Sequence, residues 1–306
     1  MYVHNFMKIN SIPTIQSCFI LIISLLLFSS CGETFDEGKY KEELAVWTKT
    51  RMQKLKAEEG FLNLAGLYWF DQGEYILGSD STSHLVFPTS FPAKFGSIFV
   101  AGNQVIFTPT VEGFTIESDP LEQTTMIYDE EEEIVSTIEY GSYRWFVIKR
   151  GSDLGIRLKD YDHPLLQEEI SIHRYPVNSK WRFEAEFVAY DAPRTMTLQN
   201  ITGQQVEYSV PGKLVFNIEG VSYSIDPIME GEEYFLIFSD ETSGIATYGS
   251  GRYMYADRLE EGRLVVDFNK SYNPPCAFTD YATCLIPPPE NRIQLAIEAG
   301  EKDYHL

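Results

Sequence analysis

Apolar and polar positions change rhythm twice along the chain. Cys18 to Phe28 (CFILIISLLLF) is an almost unbroken apolar run, too short for a comfortable transmembrane helix and of the length of a signal-peptide core. From Lys39 to Glu59, Leu44, Trp47, Met52 and Leu55 recur near helical spacing among Lys and Glu, which predicts one amphipathic helix stopped by Gly60. Beyond Phe61 the text becomes short β-prone runs separated by turn residues every eight to twelve positions. The predicted turns include Asp71-Gln72-Gly73 as a hairpin, Gly102-Asn103, Gly141-Ser142, Gly151-Ser152-Asp153, Thr202-Gly203 and Glu219-Gly220. Pro211-Gly212 is expected to break the run between Gln205–Val210 and Lys213–Ile218. The later expected strands are Tyr234–Phe238, Ile245–Tyr255, Arg263–Phe268 and Ile293–Ile297.

These elements predict an all-β fold, a mainly antiparallel barrel or sandwich, with one N-terminal helix covering a sheet or plugging a barrel end. No repeat of fixed period and no low-complexity linker divides the chain. The expected organisation is a processed segment over 1–31, a tether over 32–38 and a single β-rich domain over 39–306.

Composition bears mainly on location. Leu27-Phe28-Ser29-Ser30-Cys31-Gly32 resembles a bacterial lipoprotein processing site, with Phe28 where the usual pattern prefers Leu. That resemblance makes Cys31 the lipidated first residue of an exported protein, tethered to a membrane of the bacterial cell envelope, with the outer membrane favoured. An uncleaved N-terminal anchor is the alternative. Loss of Lys8, the one charged residue of that span, takes the formal charge from −21 to −22. So acidic a chain argues against nucleic acid or anionic headgroups as partners. Cys276 and Cys284, the two cysteines left with free thiols after processing and lipidation, are a candidate disulfide in an oxidising compartment.

Candidate chemistry concentrates between Tyr234 and Lys302. Gly249-Ser250-Gly251-Arg252 presents backbone N–H groups and a guanidinium suited to an anion, but strand residues follow it, so it is no P-loop. Asp267, Asn269 and Ser271 alternate like the start of a calcium loop, yet Tyr272 and Phe278 stand where an EF-hand needs Gly and Glu. His163 and His173 lack the spacing of a zinc site, and Glu130–Glu133 reads as a solvated turn. No metal or other cofactor is expected.

The motifs GLYW (Gly66–Trp69), TSG-x-x-TYG-x-GR (Thr242–Arg252), DFN-x-x-YNPPCAF (Asp267–Phe278), ATC-x-x-PP (Ala282–Pro288), Asn291-Arg292 and the AGEK ending at Lys302 resemble domain-of-unknown-function family 1684. The resemblance runs over about 45–302, with Leu285 where Pro is typical. It implies a β-rich domain and brings no established activity.

Two functions remain open on these residues. In the first, Arg252, Asn269, Asn273, Asn291 and Arg292, with Tyr248 and Tyr272 as walls, bind a small anionic or polyhydroxylated molecule. Asp267 or Glu301 then serves as general base for hydrolysis. In the second, the same residues form a buried hydrogen-bonded lock of a non-catalytic lipoprotein. An open cleft supports the first; mutual pairing and burial support the second.

Overall fold

A computed structural model describes residues 35–259 and 263–305. The apolar run, the processing site and Cys31 lie outside them. The chain divides into two compact units, Met1–Tyr40 and Lys41–Leu306. In the first, Asp36 Oδ1 accepts from the amides of Gly38 and Lys39 (2.8 and 3.1 Å) and so opens the helix Glu37–Lys56. This is the expected helix, shifted by two to three residues at each end. Among the described residues no helix is long and apolar enough to cross a membrane.

The second unit is built of antiparallel sheets, apart from one short parallel pair, Gly73–Gly78 with Leu85–Val86. Two six-stranded sheets pack face to face in a sandwich-like arrangement. One has the order Leu64–Phe70, Asp153–Asp160, Tyr143–Arg150, Ile138–Tyr140, Thr115–Ile116, Asp119–Pro120. The other has the order Leu85–Val86, Gly73–Gly78, Gly96–Ala101, Gln104–Pro109, Thr125–Asp129, Ile134–Val135. Between them lies a core rich in aromatics, with Phe87, Phe95, Phe107, Phe114 and Trp145 buried edge to face or tilted.

A five-stranded sheet follows, in the order Val221–Ile225, Gln205–Ile218, Arg182–Gln199, Leu264–Asp267, Asp257–Arg258. A three-stranded sheet holds Ile228–Glu230, Glu233–Phe238 and Arg252–Tyr255. Leu214, Phe216, Leu236, Phe238, Val266 and Phe268 make a second core, which the tail residues Ile293, Ile297 and Ala299 join.

The two-residue turns at Gly102-Asn103, Gly141-Ser142 and Glu219-Gly220 form as expected, with left-handed glycines. Four expectations are corrected. Asp71-Gln72-Gly73 is not a hairpin: Leu64–Phe70 pairs with Asp153–Asp160 and Gly73–Gly78 with Gly96–Ala101, so the chain changes sheet there. Pro211-Gly212 does not end a strand. Gln205–Ile218 runs through it with unbroken in–out burial, and the partner strand bulges between Ala189 and Arg194 opposite the missing proline amide.

Ile245–Tyr255 is strand only from Arg252, because the Thr242 carbonyl gathers the amides of Ile245, Ala246 and Thr247 into turns (3.0–3.1 Å). Ile293–Ile297 has the burial of a strand but not its ladder. The tail is held instead by isolated bridges such as Ser239–Arg292 and by side chains that take its carbonyls.

Candidate functional site

Most of the residues singled out in the tail turn inward. Arg252 opens the strand Arg252–Tyr255 and is fully buried. Its Nη2 donates to Asp240 Oδ2 (2.5 Å) and to the Ile297 carbonyl (3.1 Å), and its Nη1 donates to the Ala299 carbonyl. Burial pulls the guanidinium below an arginine's ordinary pKa, and the adjoining Asp240 carboxylate opposes the shift. Asp240 also accepts from the Thr242 amide and hydroxyl (2.7 and 2.5 Å), so one carboxylate organises the loop before Arg252 and anchors the cation after it.

Glu301, also buried, does the same for the chain end. Its Oε2 accepts from the Asn273 amide (2.7 Å), and its Oε1 lies 3.3 Å from Arg174 Nη1 and 3.5 Å from Arg51 Nε. Burial lowers the Arg174 pKa and Glu301 opposes that shift. Between them Gly300 adopts φ +75°, and a Cβ there would stand 2.5 Å from the Ser271 carbonyl oxygen. Only glycine brings Ala299 and Glu301 onto opposite partners at so close an approach.

The asparagines bind backbone. Asn269 exchanges bonds with the Asn178 amide and carbonyl (3.1 and 2.9 Å), and Asp267 Oδ1 caps the Asn269 amide (3.0 Å). Asn273 Nδ2 reaches the Lys302 carbonyl (2.7 Å). Asn291 accepts from the Asp226 amide and donates to the carbonyls of Asp226 and Ile237 (2.8, 2.9 and 2.9 Å). Arg292 is exposed and lines a shallow hollow of about 300 Å³ beside Ser239 and Pro287. Tyr248 is half-buried and donates to the Cys276 carbonyl (3.2 Å). Cys276 and Cys284 are bonded, with Cα atoms 6.1 Å apart.

The helix completes this network. Trp47 and Arg51 share its inward face with Leu44 and Leu55. Arg51 stacks on Tyr272 at 4.5 Å and donates to the Asn273 carbonyl (2.9 Å), while Arg174 lies over Trp47 at 5.1 Å.

Of the singled-out residues, Tyr272 and Cys284 also face a sizeable cavity, of about 460 Å³. One wall is the tail: Pro275, Ala282, Thr283, Cys284 and Leu285. Phe235, Tyr253, Tyr255, Tyr208 and Asn200 form another, and Lys149, Arg150 and Arg157 come from the first sheet.

Strand alternation explains the arginines. Leu154, Ile156 and Leu158 point into the aromatic core, so Arg157 projects from the opposite face, and Arg150 shares that face across the Ile148–Gly155 pair. Both reach one hydroxyl: Arg150 Nε and Arg157 Nη2 donate to Thr283 Oγ1 (3.1 and 3.3 Å). Among the described residues no carboxylate lies at ion-pairing distance from either arginine. Burial, with a smaller contribution from Arg150, pulls the Arg157 pKa down to about 10. Arg157 Nε and Asn200 Nδ2 are buried donors with no acceptor. These residues were missed from sequence. A lone Arg inside Gly-Ile-Arg-Leu was the available signal.

Comparison with known proteins adds a family. Residues 170–302 match the family model described as "Protein of unknown function (DUF1684)". The match is narrower than the resemblance read from the motifs: GLYW falls outside it, as do Arg150 and Arg157, whereas Thr283 and the tyrosines of the cavity fall within the matched residues. No curated protein matches. Among solved structures the chain is similar to the solution NMR structure of an uncharacterized protein from Haloarcula marismortui. Identity is 27%, over 45% of this chain and 80% of that one, with a TM-score of 0.38.

The Arg252 network is expected to be worth far more than a surface ion pair. Arg252→Ala leaves Asp240 buried without its cation and should cost roughly 3–5 kcal/mol in urea unfolding. Arg252→Lys should recover less than half of this, because one ammonium cannot match the guanidinium fork. A loss below about 1 kcal/mol for Arg252→Ala, the size of a surface pair, would contradict the assignment.

Proposed function

We propose that this is an exported, membrane-tethered binding protein. In this reading the cluster around Arg252 and Glu301 locks the tail, and the cavity walled by that tail takes a small anionic ligand. The observation that carries it is the pair Arg150 and Arg157, which converge on Thr283 without a carboxylate. Two uncompensated cations held partly out of water destabilise a fold, and an anion shared between them relieves both desolvation and mutual repulsion. Thr283 Oγ1, which accepts from both guanidinium groups, fixes their forks at the cavity wall. The cavity volume lies within the range of small-molecule sites, and its aromatic walls suit a ligand with an apolar body.

The inward-facing cluster supports the lock rather than a catalytic centre. Asp267 is engaged by Asn269, and Glu301 by Asn273, Arg174 and Arg51, so neither carboxylate is presented to a bound molecule. The strong negative charge elsewhere on the chain fits a site that must concentrate its positive potential in a recess.

Phenyl phosphate at about a hundred times its dissociation constant should raise the melting temperature of the full chain by roughly 5–10 °C. Arg157→Gln should melt no lower than wild type, since it removes an unpaired buried cation, and should lose the response. An equal shift in Arg157→Gln, or none in wild type, would refute the site. The tether has its own test. Cys31→Ser should move the protein from the membrane fraction to the soluble fraction on cell fractionation, and unchanged membrane retention would contradict lipidation there.

A further inference from the structure

Glu230, at the end of the strand Ile228–Glu230, lines the same cavity and has no role in holding an anion. Its Oε2 accepts from the Tyr255 hydroxyl (2.6 Å). Among the described residues no basic side chain lies at ion-pairing distance from it. The carboxylate is therefore as unpaired as the arginines, with the opposite sign.

Several rings line the cavity with it. Phe235 meets Tyr253 at 81° with centroids 5.1 Å apart, Tyr253 meets Tyr272 at 83° and 6.2 Å, and Phe235 is tilted by 33° against Tyr255 at 4.9 Å. Burial, and then the bond to Glu230, raise the Tyr255 pKa, so its hydroxyl remains a donor at neutral pH. Tyr208 lines the same cavity, and burial raises its pKa first, with the Glu230 charge adding to the rise and the Arg150 charge opposing it. Aromatic rings and a carboxylate lining one cavity are surroundings that favour an alkylammonium group, through cation–π attraction and charge together.

We propose that the ligand is a zwitterion. Its phosphate or carboxylate sits on Arg150 and Arg157, and its alkylammonium sits at Glu230 among Tyr208, Tyr255 and Tyr272. This rests on the anion-binding reading and adds the second pole. The shared chemistry is that of a phosphocholine-type group, whether free or as the headgroup of a neutral lipid.

The test is calorimetric titration of the full chain with phosphocholine and with 3,3-dimethylbutyl phosphate, its isostere with carbon in place of the charged nitrogen. Phosphocholine should bind about tenfold or more tightly than the isostere. Glu230→Gln should close that gap. It weakens phosphocholine and, by removing a negative charge from the cavity, does not weaken the isostere. Glu230 is exposed, so the variant keeps its fold. Equal affinity of the two compounds for wild type, or a preference that survives in Glu230→Gln, would overturn the zwitterion while leaving the anion site standing. Failure of both compounds and of inorganic phosphate to bind would overturn the anion site itself. Phosphatidylcholine vesicles separate the sources: retention of the soluble-probe preference with no vesicle competition assigns a free small molecule, and competition assigns the headgroup.

Discussion

The buried pair of Arg252 and Asp240 is the constraint on which the C-terminal half depends. A buried guanidinium is costly unless its donors meet acceptors, and the two Nη groups of Arg252 have a carboxylate and two tail carbonyls, although its Nε has none. Those carbonyls, of Ile297 and Ala299, belong to a segment that would otherwise complete a strand. One cation thus draws the tail across the sheet and takes the hydrogen bonds a neighbouring strand would have used. Gly300 then reverses the path so that Glu301 collects Asn273, Arg174 and Arg51. Removal of the cation strands a carboxylate and two carbonyls together, so the tail is fixed cooperatively rather than bond by bond.

What the tail gains by being fixed is a position. Tyr272, Pro275, Ala282, Thr283 and Cys284 become the wall that faces Arg150 and Arg157 from the first sheet. Thr283 lies within the loop closed by the Cys276–Cys284 bond, which limits where its hydroxyl can stand. The cavity then joins two kinds of structure. Strands supply rigid, alternating positions for the arginines, and an irregular but locked segment supplies the hydroxyl that aligns them.

How much of this was legible in the sequence follows from the range of the interactions. The antiparallel β class, the helix and the tight turns rest on local periodicity and turn chemistry, and Gly102, Gly141 and Gly220 take the left-handed conformations those turns require. The cluster residues Arg252, Asn269, Asn273, Asn291 and Glu301 stood out because Asn, Pro and Arg in an aperiodic stretch must satisfy backbone groups somewhere. What they face depends on partners far away in the chain: Asp226 for Asn291, Asn178 for Asn269, Arg51 for Glu301. Arg150 and Arg157 were overlooked for the same reason, since each reads as the polar member of a half-exposed strand until the tail covers that face. Pro211 was read as a breaker because the bulge that accommodates it lies on the other strand.

The most direct test of the anion site is crystallographic. Crystals of the full chain grown with selenate should give an anomalous difference peak within hydrogen-bonding reach of the Arg150 and Arg157 guanidinium groups and beside Thr283. Selenate found only on the exposed surface, with the cavity empty at saturating concentration, would contradict the assignment of the arginine pair as a binding site.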